Sequence, residues 1–192
     1  MRERILFFVI FLLFSACSFQ TPSNEWQYKS ASAFHAYTED FLSDDAYMAN
    51  NDLKRAIAHA KKSANLETLA RVYLGKCALN ISVGIPDNCQ EYQEIATVVE
   101  EVSLHHYYQL IEKKFSMDDA KKSLDMSRAT SKLLVGAIYK EEIDDAKREE
   151  LLEVASYHGY KKAVLFWLHQ QLIHSSDAKE QIKLKKKINI LK

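Results

Sequence analysis

Residues 52–81, DLKRAIAHAKKSANLETLARVYLGKCALNI, carry the pattern that decides the fold of this chain. Apolar residues recur there every three or four positions, which places them on one face of an α-helix. The stretch therefore predicts two consecutive helices, the second beginning at Leu66. The spaced residues are Leu53, Ala56, Ile57, Ala60 and Ala64 in the first helix, and Leu69, Val72, Tyr73, Cys77 and Ile81 in the second.

The composition extends this prediction to most of the chain. Only four glycines and two prolines occur among 192 residues, and such scarcity of turn-forming residues argues against a sheet of many short strands. Beyond a loop at residues 83–88, we expect further helices over residues 89–102, 104–115, 117–128, 131–139, 144–158 and 160–173, and then a basic last segment. The predicted fold class is all-α, built of antiparallel helical hairpins.

The first helix of this series is predicted to carry Phe34, Tyr37 and Phe41 on its apolar face. We expect it to end near residues 50 and 51, two asparagines, because asparagine tolerates the left-handed backbone conformation that often ends a helix. Asp52 would then cap the second helix.

The N-terminus has the layout of a secretory signal peptide. A short basic start is followed by ten apolar residues from Ile5 to Phe14 and by the small residues Ser15 and Ala16. Ten apolar residues are too few for the roughly 20 that a membrane-spanning helix needs. Residues 1–16 are therefore predicted to be a signal peptide.

The stretch Leu13-Phe14-Ser15-Ala16-Cys17 resembles the lipobox of bacterial lipoproteins, with Phe14 where leucine is usual. The resemblance implies cleavage before Cys17, acylation of its thiol and of the new amino terminus, and attachment to a membrane. Ser18 rather than aspartate follows the cysteine, which in this class of protein goes with the outer membrane. The alternative is an ordinary signal peptide cut near Ala16, which leaves Cys17 as a plain thiol.

The mature chain divides into a tether and one domain. Residues 17–29 are polar and unpatterned, and they are predicted to be a lipidated flexible tether. Residues 30–192 are long enough for a single helical domain with a real core.

Three segments share one spacing, in which a large apolar residue is followed by an alanine three positions on and by another apolar residue four positions beyond that. They contain Leu53, Ala56 and Ala60; Met117, Ala120 and Leu124; and Gly159, Tyr160, Ala163 and Trp167. The first, with its preceding asparagines, resembles the turn and second helix of a tetratricopeptide repeat, and the last also resembles Sel1-like repeats. The resemblance implies that these residues pack neighbouring helices together in a right-handed solenoid with a concave, protein-binding surface.

The spacing between the segments leaves a second architecture open. The three alanines are separated by 64 and 43 residues, whereas tetratricopeptide repeats recur every 34 or so residues. Helical hairpins of any origin favour alanine where helices cross closely, so an irregular helical bundle is the alternative.

Cys77 and Cys89 are the two cysteines of the predicted domain. They flank the predicted turn, and in an oxidising compartment such a pair is expected to form a disulfide. The alternative is two buried thiols. No third ligand stands at a spacing typical of a zinc site, and no metal or other cofactor is predicted.

The charge balance argues against nucleic-acid binding, and the polar residues that could form a catalytic or metal site have simpler interpretations. Without residues 1–16 the chain has 24 basic and 25 acidic residues, so it lacks the basic surface that nucleic-acid binding requires. The pairs His35–Glu39 and Glu101–His105 share helix faces, as pairs on solvated helices commonly do. Glu141, Glu142, Asp144 and Asp145 form an acidic cluster that is typical of the start of a helix.

The basic segment from Lys179 to Lys192 alternates lysines with apolar residues, which predicts an amphipathic helix. We expect it to cover the end of the helical stack; contact with anionic lipid or with a partner helix is the alternative.

Together these features predict a non-enzymatic, membrane-anchored, periplasm-facing lipoprotein that acts as a protein interaction or assembly scaffold of the bacterial envelope. No small-molecule substrate is indicated. A structural envelope protein without a ligand groove is the first alternative, and a peptidoglycan-acting enzyme is the second.

Overall fold

The computed structural model describes residues 24–192, and the regular secondary structure in that range is entirely helical. The predicted all-α class is therefore confirmed. The elements are α1 Glu25–Ser43, α2 Ala46–Lys62, α3 Leu66–Ser82, α4 Gln90–Gln93, a 3₁₀ turn Ala96–Val98, α5 Val102–Ile111, α6 Met117–Ser123, α7 Ala129–Ile138, α8 Asp145–Tyr157, α9 Lys161–His174 and α10 Ala178–Leu191.

Helix α1 begins earlier than the predicted domain boundary at residue 30. Residues 25–29, which were predicted to belong to the flexible tether, form its first turns. Trp26 fixes this end of α1 against α2, because its ring stacks on His59 at a centroid distance of 5.5 Å and the ammonium group of Lys62 lies 4.7 Å from its ring centre. Cys17, the predicted signal peptide and residues 18–23 of the predicted tether lie outside the described residues.

The turn between α1 and α2 lies at Asp44 and Asp45, so the prediction that α1 ends near residues 50 and 51 is wrong. Asp44 adopts the left-handed conformation with φ 75°, and an Asp45 carboxylate oxygen accepts a hydrogen bond from the backbone N–H of Met48 at 3.0 Å. Like asparagine, aspartate can adopt the left-handed conformation and can cap the start of a helix. Residues 50–52 consequently lie inside α2, and Asp52 is buried rather than a helix cap.

Two further predicted helices are shorter than expected. The region 89–102 contains only α4 and the 3₁₀ turn, because its β-branched residues Thr97, Val98 and Val99 are stiff and lose side-chain freedom in a helix. Helix α6 ends at Ser123, and Leu124 is extended. The residues after it form a loop in which an Asp125 carboxylate oxygen accepts hydrogen bonds from the backbone and the side chain of Ser127.

The core consists of two large clusters that meet at α3. One joins α1 with α7, α8 and α9 and contains Leu42, Leu133, Leu151 and Trp167. The other joins α3 with α5 and α7 and contains Leu74, Leu110 and Tyr139. Helix α3 contributes residues to both clusters, Leu79 to the first and Leu74 to the second.

The start of α9 packs on α1. The Tyr160 hydroxyl donates a hydrogen bond to Glu39 of α1 at 3.3 Å, and the ammonium group of Lys161 lies 3.3 Å from the carboxylate of Asp44. The Phe166 ring of α9 lies directly against Gly84, just beyond α3. In an open solenoid each repeat contacts only its neighbours, so this closure fits the irregular helical bundle, the second of the two predicted architectures.

The turn between α8 and α9 lies at Gly159, as predicted. Gly159 has φ 70°, and the backbone N–H of Tyr160 donates to the carbonyl of Ala155 at 2.9 Å. A second bond joins the Gly159 N–H to the carbonyl of Ser156, which completes the Schellman arrangement that ends a helix at a left-handed residue.

Replacing Gly159 by alanine should therefore destabilise the domain through backbone strain, because no atom beyond the two adjacent residues lies within 4 Å of the position that its Cβ would occupy. We expect a loss of about 1–2 kcal/mol in the free energy of unfolding, measured by urea denaturation. Gly159→Asn is the matched control and should lose less, since asparagine tolerates the left-handed region. Equal losses in the two variants would contradict this explanation.

The carboxyl group of Asp40 faces buried Asp52 across the α1–α2 hairpin. Burial raises the pKa of Asp40, and a hydrogen bond to Asp52 and the negative charge of that residue raise it further. Protonated Asp40 can donate the shared hydrogen bond, whereas two ionised carboxylates repel each other.

Because the pKa of Asp40 is higher in the folded state, its favourable contribution to stability is present at acidic pH and is lost as the pH rises through that raised value. Asp40→Asn, which donates a hydrogen bond at every pH, should melt at a higher temperature than wild type at neutral pH. The advantage should shrink toward pH 3.8, the ordinary pKa of the group. Thermal melts of both proteins from neutral pH down to pH 3.8 measure this difference. Glu153→Gln, which removes an exposed charge from the middle of α8, is the control. A difference between Asp40→Asn and wild type that is constant at every pH would refute the explanation.

Candidate functional groove

An open groove lies between α1 and α3 and has a volume of about 900 Å³. One wall is the α1 face that carries Phe34 and Thr38, and the opposite wall is the loop 124–128 with the first residues of α7. The floor is the segment Gly75–Ser82 of α3. We call this feature the α1–α3 groove.

The floor exists because α1 and α3 approach each other closely at Gly75. The Phe34 ring lies where a side chain at residue 75 would be, and a Cβ added there would meet its Cζ atom at 2.3 Å. Next to this contact, Ala78 and Leu79 present small and apolar surface. The floor is therefore apolar, and the absence of a side chain at Gly75 permits the close approach of Phe34.

The loop wall is held by its own side chains. Asp125 accepts hydrogen bonds from the Ser127 side chain at 2.6 Å and from the Ser127 backbone at 3.0 Å. The hydroxyl of Ser127, its backbone N–H and then the charge of Arg128 hold the pKa of Asp125 below its ordinary value. Asp125 is thus ionised and already partnered at neutral pH, and it shapes the loop.

Two tyrosines also line the groove, Tyr107 of α5 and Tyr160 at the start of α9. Burial raises the pKa of the Tyr107 hydroxyl in α5, so this group is a neutral donor. Burial and the nearby charge of Glu39 raise the pKa of Tyr160 as well. The His158 ring stacks on Tyr160 at a centroid distance of 5.2 Å, and both residues line the groove.

The groove presents mixed and nearly balanced charge. Its basic side chains are His35, Arg128 and His158, and its acidic ones are Glu39 and Asp125. Both carboxylates already accept hydrogen bonds, from Tyr160 and Ser127 respectively. Hydroxyl groups supply the remaining polarity, namely Thr38, Ser82, Ser127, Thr130, Ser131 and the two tyrosines. Such a lining is suited to binding a chain that offers both apolar side chains and backbone polar groups.

Most of the predicted packing residues lie in the core rather than in the groove. Ala56, Ala60, Ala120 and Ala163 are at most 1 % exposed. Ala56 packs with Ala33 of α1 and Val72 of α3, and Leu53 packs beside them. In the closing half of the chain, Trp167 is fully buried and lies against Gly136 of α7.

The three repeat-like segments do not share one geometry. The asparagines before Leu53 belong to a helix and not to a turn, and Leu124 lies beyond the end of α6, which starts at Met117. Only the segment from Gly159 to Trp167 has the turn and helix that the resemblance implies. Of the ten predicted packing residues, Leu124 and Tyr160 line the groove.

Cys77 and Cys89 are brought together as the sequence predicted. Their sulfur atoms lie at disulfide bonding distance, and their Cα atoms are 5.2 Å apart. Asp87 shapes the turn between them, because its carboxylate accepts hydrogen bonds from the Asn80 side chain at 2.7 Å and from the Cys89 backbone at 2.8 Å. Cys89 adopts the left-handed conformation with φ 55°.

Asp87 is also a potential metal ligand beside the two cysteines, which sequence reasoning missed. A carboxylate two residues from a cysteine is a weak signal by itself. Here the sulfur atoms are bonded to each other, and a disulfide does not supply the thiolates that a metal site of this type requires. Within residues 24–192 no other group of three such residues converges on one point.

His105 and Glu101, which share a helix face in the sequence, each form hydrogen bonds or ion pairs with other residues. His105 shares hydrogen bonds with the Tyr92 hydroxyl at 2.9 Å and the Val99 carbonyl at 2.8 Å. Glu101 binds Arg71 and Ser103, so it does not pair with His105.

The acidic cluster at residues 141–145 is divided among different partners. Asp144 caps α8 by accepting a hydrogen bond from the backbone N–H of Lys147 at 2.8 Å. Asp145 pairs with Arg148, and Glu142 pairs with Lys113. These three carboxylates thus serve a helix end or an ion pair.

Comparison of the chain with protein-family models, with curated proteins and with solved structures finds no match. The groove must therefore be interpreted from its own chemistry. Among residues 24–192, no helix has both the length and the apolar character needed to cross a membrane.

His35 and Glu39 were visible in the sequence as a pair on one helix face, and both line the groove. The residues of the loop wall carried no such signal, because that region was predicted to be helical. Only the side-chain hydrogen bonds of Asp125 reveal why the chain turns there.

Breaking the Cys77–Cys89 bond should lower the free energy of unfolding by about 3 kcal/mol, because the unfolded chain regains the freedom of the closed loop. Urea denaturation with and without reductant measures this, in a Cys17→Ser background so that only the pair contributes thiols. The control is a Cys77→Ser, Cys89→Ser variant, whose stability should not respond to reductant. Two reactive thiols per denatured, unreduced chain would contradict the bond.

Proposed function

We propose that this protein is a lipid-anchored, periplasm-facing lipoprotein whose helical domain holds a segment of another envelope protein in the α1–α3 groove. It would act as an interaction or assembly scaffold. The proposal combines a lipobox-like sequence at Leu13–Cys17 with a groove whose chemistry suits a polypeptide.

The form of the groove is the observation that carries the binding half of the proposal. Pockets for small molecules span about 300–1,000 Å³ and bury most of their ligand. The α1–α3 groove reaches that volume, about 900 Å³, but its rim residues His35, Arg128 and His158 are exposed. A small molecule there would stay largely in water, whereas a polypeptide segment can cover both the apolar floor and the polar rim.

The cysteine pair supports the proposed periplasmic location of the domain. Disulfides form and persist in oxidising compartments such as the bacterial periplasm and are rare in the cytosol. Cys77 and Cys89 at bonding distance are consistent with export, which the signal-like residues 1–16 also favour.

The anchoring half is tested with native protein and a Cys17→Ser variant expressed in a bacterial host. The wild type should partition into detergent and carry acyl mass in intact mass spectrometry, because several acyl chains hold a protein in a bilayer almost permanently. The variant should carry no acyl mass. An unmodified, water-soluble wild type would refute the anchor.

The groove is tested by filling it without disturbing the core. Ala31 lines the groove and is exposed, so Ala31→Trp should fill part of the groove while the domain keeps its fold. Ala58→Trp is the matched control, because Ala58 is an exposed alanine of α2 that does not line the groove. A photoreactive amino acid at His35 reports on the occupant in intact membranes.

The expected result is a crosslink from position 35 to an envelope protein that survives Ala58→Trp and falls at least tenfold with Ala31→Trp, as a loss of about 1.4 kcal/mol in binding requires. Circular dichroism and thermal melts verify that both variants fold. A crosslink that is equally strong in both variants would place the partner elsewhere. The absence of any protein crosslink would favour the structural lipoprotein without a ligand groove.

A further inference from the structure

The last helix, α10, has one face buried and the opposite face uncovered. Leu184 and Ile188 are 2 % and 3 % exposed and pack with Leu168 of α9. Ile182 and Ile190, in contrast, are 69 % and 73 % exposed. Residues 182, 186 and 190 follow one another at intervals of four and therefore share a face of the helix.

The uncovered face is strongly basic. Residues 178–192 contain six lysines and one glutamate, although the whole chain has 26 basic and 26 acidic residues. Lys186 lies between the two exposed isoleucines on this face. The single acidic residue, Glu180, lies 3.5 Å from the ammonium group of Lys183. Positive charge is thus concentrated where apolar side chains are also exposed.

We propose that the uncovered face of α10 docks on a bilayer surface that contains anionic phospholipid. Ile182 and Ile190 enter the boundary between headgroups and acyl chains, and the surrounding lysines extend along their apolar stems to place ammonium groups at lipid phosphates. Charge complementarity selects this occupant, because each lysine near an anionic surface adds to the attraction.

A partner helix fits this face less well. Helix pairs bury a continuous apolar stripe, and here Lys186 interrupts the two isoleucines. A bilayer surface accepts such alternation, because the interface provides polar and apolar layers at once. The inference rests in part on the proposed anchoring, which holds the domain beside a bilayer and raises the local concentration of lipid around α10.

Vesicle flotation tests the proposal on the mature chain, residues 17–192 with Cys17→Ser, so that neither an acyl anchor nor the apolar residues 5–14 contribute. Vesicles containing phosphatidylglycerol are compared with vesicles of phosphatidylcholine alone, at low and high salt. The test variant replaces Lys179, Lys183 and Lys186 by glutamine, and the matched control replaces Lys54, Lys61 and Lys114. A second variant, Ile182→Ser with Ile190→Ser, removes the apolar contribution and keeps the charge.

The expected result is salt-sensitive binding that prefers phosphatidylglycerol vesicles, is weakened about tenfold or more by the α10 lysine variant, and is unchanged in the control. The isoleucine variant should bind more weakly than the parent chain at the same lipid charge. Equal binding of the two lysine variants would overturn the proposal. The proposal would also be overturned if α10 were crosslinked to a protein in native membranes and vesicle binding did not depend on lipid charge.

Failure of this proposal is distinguishable from failure of the proposed function. The anchor is judged from the acyl mass on Cys17, and the groove is judged from crosslinks at position 35. Neither readout involves the lysines of α10.

Discussion

Helix α3 is buried on nearly all sides, and the rest of the domain depends on that burial. Nine of its residues are buried, including Leu69, Val72, Leu74 and Leu79. Because these apolar residues lie on more than one face of the helix, several elements must pack around it. Helices α1 and α2 cover one part, and α5 and α7 cover another. The α1–α3 groove runs over one part of α3, along Gly75, Ala78, Leu79 and Ser82.

The sequence predicted the helices well and the turns unevenly. Periodicity identifies α3 because its apolar residues recur over four turns, and the cysteine pair was visible because two cysteines flank a glycine- and proline-containing loop. The end of α1 was misplaced because aspartate at residue 44 takes the left-handed conformation that was assigned to the asparagines at residues 50 and 51. Local sequence did not distinguish a helix end at residue 44 from one at residues 50 and 51. Packing favours residue 44, because Asp52 is buried inside α2.

The groove was not predictable for a related reason. Its floor depends on Gly75 lying under Phe34, which are 41 positions apart in the sequence. Its loop wall depends on Asp125 accepting hydrogen bonds from the backbone and side chain of Ser127, in a segment that was predicted to be helical. Such features arise from tertiary contacts and from competition between side-chain and helical hydrogen bonds. A method that scans for periodic apolar faces detects neither.

The contact between α1 and α9 determines how rigidly the groove is joined to α10. Ion pairs of Asp44 with Lys161 and Lys162 are visible there, but exposed pairs contribute only about 0–1 kcal/mol each. The buried cluster that contains Phe41, Tyr160 and Trp167 is the stronger link, because burying one large side chain is worth about 1.5–3 kcal/mol. Tyr160 belongs to that cluster and also lines the groove. A surface that orients α10, which packs on α9, therefore orients the groove as well, and the link persists at salt concentrations that screen the ion pairs.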